Sequence, residues 1–239
     1  MMNRLALPAV LLIAGACSAA SSAPENAAAA NARAADPATA RPAGPGYVAA
    51  AGHYRLRDGP DSVSELLLQP DGRFEFGFSA GALDLTAQGR WTSDGRSVTL
   101  NTEPRPVPPV FSAGPVSHSN EAPLVVKVQD PSGRGLALID VRVGFADGRV
   151  VEGYTQDYGW QLTEEGDPRM ARWVELSLRM YGLPPQRFPL DPTAGNEFTF
   201  TLTPNDLGVQ DFRDAVLPIT REGLVLTLMG GSGTYVRQR

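Results

Sequence analysis

Cysteine is nearly absent from this chain: among 239 residues there is one, Cys17. A fold built from it has no internal disulfide and no thiolate metal site, so its stability must come from apolar burial. Histidine is almost as scarce, with only His53 and His118, far apart in sequence. A Ser-His-Asp arrangement or a histidine-based zinc site needs partners that cluster near neither. H-E-x-x-H and Walker-type loops are missing too. Positive charge is in deficit: 21 basic against 26 acidic side chains give a formal charge of −5. That balance argues against nucleic acid and against a polybasic membrane-surface patch. No catalytic residue, metal site or cofactor is assigned from these residues.

Residues 1–16 carry a single cation, Arg4, then the apolar stretch 5–16 ending in small residues. At roughly a dozen residues the stretch is too short to span a bilayer and reads as a secretory signal. Its removal takes the formal charge to −6. The residues Ile13-Ala14-Gly15-Ala16-Cys17 resemble a bacterial lipobox. The resemblance implies that Cys17 is diacylated on sulfur, becomes the new N-terminus and is acylated on its amine. Ser18, where Asp would resemble inner-membrane retention, implies an outer-membrane anchor on the periplasmic face. Attachment would rest on the acyl chains, of which a stable anchor needs more than one. The other reading is an ordinary signal peptide that leaves Cys17 a stray thiol. Beyond the cysteine, residues 17–46 are an Ala/Pro/Ser tether that cannot bury enough surface to fold.

What the chain does have is period-two alternation. Phe74, Phe76 and Phe78 alternate with Glu75 and Gly77, and Leu83, Leu85 and Trp91 with Asp84, Thr86 and Arg90. Asp71-Gly72, Ala80-Gly81 and Asp94-Gly95 mark the reversals. Five strands are expected over 47–103, ending at Pro104, Pro106, Pro108 and Pro109, which open a linker over 104–122. Residues 204–239 return to the same pattern with three more strands, Leu224, Leu226 and Leu228 on one face and Tyr235 in the last. Eight is the number at which an antiparallel sheet closes into a small barrel whose interior holds side chains or one ligand. Phe74, Phe76, Phe78, Leu83, Leu85, Trp91 and Tyr235 are its cavity candidates; residue volumes alone do not say whether they line a cavity or fill it.

Gly52 to Tyr54, Asp71 to Phe74 and Gly89 to Trp91 match the G-x-Y, D-G-R-F and G-x-W of lipocalin-like barrels in bacterial envelope lipoproteins, including the copper-resistance lipoprotein family, and the layout resembles theirs. That family's C-x-x-C is missing here, so its metal-linked signalling is not carried over. Residues 123–203 form a different unit. Asp130 to Gly133, Asp147-Gly148 and Thr155-Gln-Asp157-Tyr-Gly159 resemble the turns of transthyretin-like or carboxypeptidase-regulatory β-sandwiches, which implies a structural or adhesive module. Residues 173–181, with Val174, Leu176, Leu178 and Met180 on one face, and 197–203, with Phe198, Phe200 and Leu202 inward, are expected to complete it.

Tyr154, Tyr158 and Trp160 offer an aromatic platform for a sugar, or core area for the sandwich. Glu164, Glu165, Asp167 and Asp157 make the densest acidic stretch, without EF-hand spacing, and read as a solvated loop. The expectation is an all-β chain: an eight-stranded antiparallel lipocalin-like barrel interrupted by a small β-sandwich. Its expected role is non-enzymatic binding of a small apolar ligand or an envelope partner protein. A structural adaptor with a dry barrel and a hydrolase without a recognisable motif are the alternatives.

Overall fold

Alternating apolar and polar side chains become strand after strand. The structure, a computed structural model, describes residues 49–57, 59, 61–163 and 167–239. The signal segment, Cys17, the tether, Tyr47, Glu164 and Glu165 lie outside the described residues. The first five strands are β1 (Gly52–Leu56), β2 (Ser62–Leu68), β3 (Arg73–Ala80), β4 (Leu83–Ser93) and β5 (Ser97–Thr102). An inserted unit follows, with β6 (Val110–Ser117), β7 (Val125–Gln129), β8 (Asp140–Phe145), β9 (Val150–Tyr154), β10 (Trp160–Gln161), β11 (Ala171–Leu178), β12 (Leu183–Pro189) and β13 (Glu197–Thr203). Then come β14 (Ala215–Pro218), β15 (Leu224–Leu228) and β16 (Gly231–Arg237). Helical conformation among the described residues is confined to residues 49–50 and the single 3₁₀ turns Pro168–Met170 and Arg179–Tyr181.

The first five and last three strands form one antiparallel sheet in the order β14-β5-β4-β3-β2-β1-β16-β15. Its two ends meet where β14 turns into β15: Ile219 pairs with Leu224, and Thr220 N donates to Gly223 O at 2.8 Å. The sheet is thus a nearly closed barrel, which leaves little edge for another chain to pair with. Leu66, Leu68, Phe74, Leu85, Trp91, Leu100, Leu217 and Leu224 are buried inside it. Each large apolar side chain taken out of water there contributes about 1.5–3 kcal/mol. At one end Ala50 and Ala51 join the same core, and the Tyr54 hydroxyl donates to Ala50 O at 2.7 Å.

The insert packs sheet β10-β7-β13-β6 against sheet β12-β11-β8-β9 over a second core that includes Val126, Val128, Val141, Val143, Val174, Leu176, Phe198 and Phe200. Two expectations are corrected. The proline-rich stretch is not all linker, because β6 lies within it and pairs with β13. Pro115 is tolerated there because it sits where the β6–β13 register shifts, on an edge strand. Met180 does not extend β11 on its inner face: the strand ends at Leu178, and Met180 is exposed in the 3₁₀ turn that follows. The edges of the sandwich are guarded. β12 carries Pro184, Pro185 and Pro189, and the Gln186 side chain accepts from Phe111 N of β6 at 3.2 Å.

Barrel and insert are joined by more than two chain crossings. Where β5 ends, residues 208–210 take its place beside β4: Thr86 N donates to Gly208 O at 2.9 Å, and Gln210 N to Thr86 O at 2.8 Å. The outgoing and returning strands clasp each other, with Val107 N donating to Asp206 Oδ2 at 2.7 Å and Asn205 Nδ2 to Pro108 O at 2.7 Å. Tyr181 packs against both cores.

Candidate functional site: the open mouth of the barrel

The inward-facing positions of the barrel are not uniform along its length. Toward the closed end they hold Leu66, Leu68, Phe74 and Trp91. Toward the other end, the same phase of the same strands holds Ser62 and Ser64 on β2, Ala80 on β3, and Gly231 and Gly233 on β16. Small side chains cannot meet across a barrel of fixed diameter, so that end stays hollow. The hollow has a volume of about 420 Å³ and is lined by Leu56, Phe78, Leu83, Leu226, Leu228, Met229 and Tyr235 together with Ser62, Ala80, Gly231 and Gly233. That falls within the roughly 300–1,000 Å³ typical of small-molecule sites.

A polar pair spans the wall beneath the mouth. Ser64 is buried; its hydroxyl donates to Gly77 O at 2.6 Å and lies 2.7 Å from the Tyr235 hydroxyl. Because the serine proton is committed to the carbonyl, the tyrosine is the donor between the two hydroxyls. Burial pushes the Tyr235 phenol above its usual range, partly offset by the hydrogen bond to Ser64. Arg57 is the one charged residue lining the mouth among the described residues, and it is ion-paired with Glu222.

The sequence-derived cavity set divides. Phe78, Leu83 and Tyr235 reach the mouth. Phe74, Leu85 and Trp91 do not: each is almost fully buried in the barrel core, where Trp91 Nε1 donates to Gln69 O at 2.9 Å. Phe76 belongs to that core as well and faces a different hollow, at the root of the insert. The small residues that create the mouth escaped sequence reasoning, which looked for large apolar side chains. Their signal was legible: they share the inward phase with Leu66, Phe76 and Tyr235.

Two other hollows have comparable volume. One, about 460 Å³, lies at the root of the insert among Glu75, Gln88, Arg105 and Asp206; the other, about 420 Å³, lies at the closed end among Ala49, Tyr54, Glu222 and Arg237. Both present several charged groups to a visitor, whereas the mouth presents aliphatic and aromatic carbon.

The aromatic platform is broken up. Tyr154 and Tyr158 are more than half exposed, but Trp160 is buried, its indole lying against the backbone of Gly153. Trp173 covers Gly144 from the other side and carries the Arg187 guanidinium 3.9 Å above its ring. Leu138 accompanies the two tyrosines as an exposed residue at φ 63°, held by Thr155: Leu138 N donates to Thr155 O at 2.8 Å, and Thr155 Oγ1 accepts from Ile139 N at 3.1 Å. His53 and His118 are both exposed, His53 with Nε2 3.2 Å from Glu65 Oε2. Among the described residues no aspartate or glutamate is buried, and no three His, Cys, Asp or Glu side chains gather as metal ligands. No helix among them is long and apolar enough to cross a membrane. The chain matches no protein-family model, no curated protein and no solved structure.

Proposed function

We propose that this chain is an outer-membrane lipoprotein of the periplasmic face that binds a small apolar ligand in the mouth of its barrel, without catalysis. The observation that carries the proposal is the graded interior. Ser62, Ala80, Gly231 and Gly233 leave a largely apolar hollow of about 420 Å³ at one end of a barrel whose middle is filled with large side chains. A dry scaffold gains nothing from that hollow, since filling it would add burial and stability. The lipobox-like run ending at Cys17 supports the anchor.

Native mass spectrometry tests the binding. The chain from Ser18 to Arg239, purified from a bacterial periplasm without detergent, is expected to carry an excess mass that disappears on denaturation. A bare polypeptide mass in every preparation would instead favour the adaptor reading. That second reading has one observation of its own: Leu138, at positive φ and more than half exposed, lies near the end of β9, where Tyr154 and, in the following turn, Tyr158 are also more than half exposed.

A further inference from the structure

Met229-Gly230 joins β15 to β16 as a two-residue loop, since Leu228 pairs directly with Gly231. Both loop residues have positive φ, 51° and 81°. This is the type I′ turn, whose first central position favours Asn, Asp or Gly. The other two-residue hairpin at the mouth, between Ala80 and Leu83, puts Gly81 at its positive-φ first position, φ 60°, as the type II′ turn requires. Met229 departs from the type I′ preference. In the left-handed region its Cβ crowds the following carbonyl, and its side chain has no local hydrogen bond to offer in return.

What the position gains is the side chain itself, which lines the mouth and is half exposed at its rim. Unbranched and with a polarisable sulfur, methionine adapts to irregular apolar shapes better than any other aliphatic residue. The lining around it includes Leu228, Leu83 and Phe78, and the one charged residue that lines the mouth among the described residues, Arg57, is already held by Glu222. A ligand that brought its own charge into this lining would lose hydration without gaining an unengaged partner. Building on the reading of the mouth as a ligand site, we infer that Met229 is its ligand-gripping residue, retained against backbone strain, and that it fits the mouth to uncharged lipophiles.

The test uses the chain from Ser18 to Arg239, which keeps every described residue, and two fluorescent probes of similar aromatic body. N-phenyl-1-naphthylamine is uncharged, and 8-anilinonaphthalene-1-sulfonate is anionic. Wild type is expected to bind the neutral probe at least about tenfold more tightly than the anion. Met229→Asn is expected to raise the melting temperature by about 2–4 °C, as relief of a strained residue in a domain of this size should, while weakening the neutral probe about tenfold. Met229→Leu keeps the apolar contact and the strain, so it should bind like wild type without the thermal gain.

Ala80→Phe, which fills the mouth from the opposite hairpin, should abolish binding. If Ala80→Phe abolishes binding and Met229→Asn leaves it unchanged, the mouth is a site and the inference about Met229 is wrong. A Met229→Asn chain that melts lower than wild type overturns it as well, because the methionine is then not strained. Equal affinity for both probes overturns the assignment of an uncharged ligand. Should Ala80→Phe bind the probe as wild type does, or wild type bind neither probe, the reading of the mouth itself falls, and this inference with it.

Discussion

The ring of Phe212 stands edge-on to that of Phe76, with centroids 5.4 Å apart and planes at 76°, although the whole inserted sandwich separates them in the chain. Phe212 also lies 6.1 Å from Phe74, and its backbone exchanges hydrogen bonds with Thr102, N to Oγ1 at 3.0 Å and O from N at 2.9 Å. The residue that re-enters the barrel from the insert therefore seals the core that the outgoing strand left open. Folding of the barrel is tied to closure of the insert at its root.

Replacing Phe212 by Ala is expected to cost about 3–5 kcal/mol, the range for emptying a buried aromatic site. Urea unfolding followed by tryptophan fluorescence measures it, because Trp91 reports on the barrel core and Trp160 and Trp173 on the sandwich. The two cores share Tyr181, and residues 208–210 returning from the insert pair with Thr86 of the barrel, so a single transition is expected. Two separated transitions would show that the units unfold independently.

The Ser64–Tyr235 pair yields a second expectation. Ser64→Ala leaves the buried tyrosine hydroxyl without its acceptor and should destabilise by about 1–3 kcal/mol. Tyr235→Phe should cost less, because Ser64 keeps its bond to Gly77 O and loses only a donor to its lone pairs. Denaturant midpoints of the two variants and the double mutant decide the order, and a larger loss for Tyr235→Phe would contradict the proton assignment.

Glu197 on β13 should contribute to acid sensitivity. The Lys127 ammonium, 2.8 Å from Glu197, holds that carboxyl below its ordinary value of 4.5, and the Ser117 hydroxyl adds to the effect. A folded pKa below the unfolded one contributes stability that is fully present above about pH 4.5 and is lost as pH falls through the folded value. The stability gap between wild type and Lys127→Met should therefore be widest near neutrality and shrink below about pH 4. Urea midpoints collected across that range test it; a gap that stays constant would remove Glu197 from the account.

For the proposed anchor, Cys17→Ser is expected to move the chain from the membrane fraction to the soluble periplasm. Detergent phase partitioning and intact mass of the wild-type N-terminus provide the check. A wild-type chain found soluble and without acyl mass would leave Cys17 an ordinary thiol near a signal cleavage site.

Period-two alternation was enough to place eight barrel strands and most of the sandwich strands, because a side chain on a pleated strand has only two faces to choose from. Leu66, Phe74, Trp91, Phe198 and Phe200 are buried as that pattern requires. The scarcity of Cys and His likewise restricted the chemistry without any coordinates. Strand pattern alone, however, does not say which half of an inward face is wide and which is filled. That depends on how the pairing of β1 with β16, Leu56 opposite Tyr235, brings the β2–β3 hairpin with Ser62 and Ala80 to the same end as the β15–β16 hairpin with Leu228 and Gly231, a matter of register between strands far apart in sequence. Nor did the proline count reveal that β6 forms, since an edge strand can lose a donor at a bulge without penalty. Local alternation determined which residues face inward; only long-range pairing decided that they surround a hollow whose rim is held by Met229.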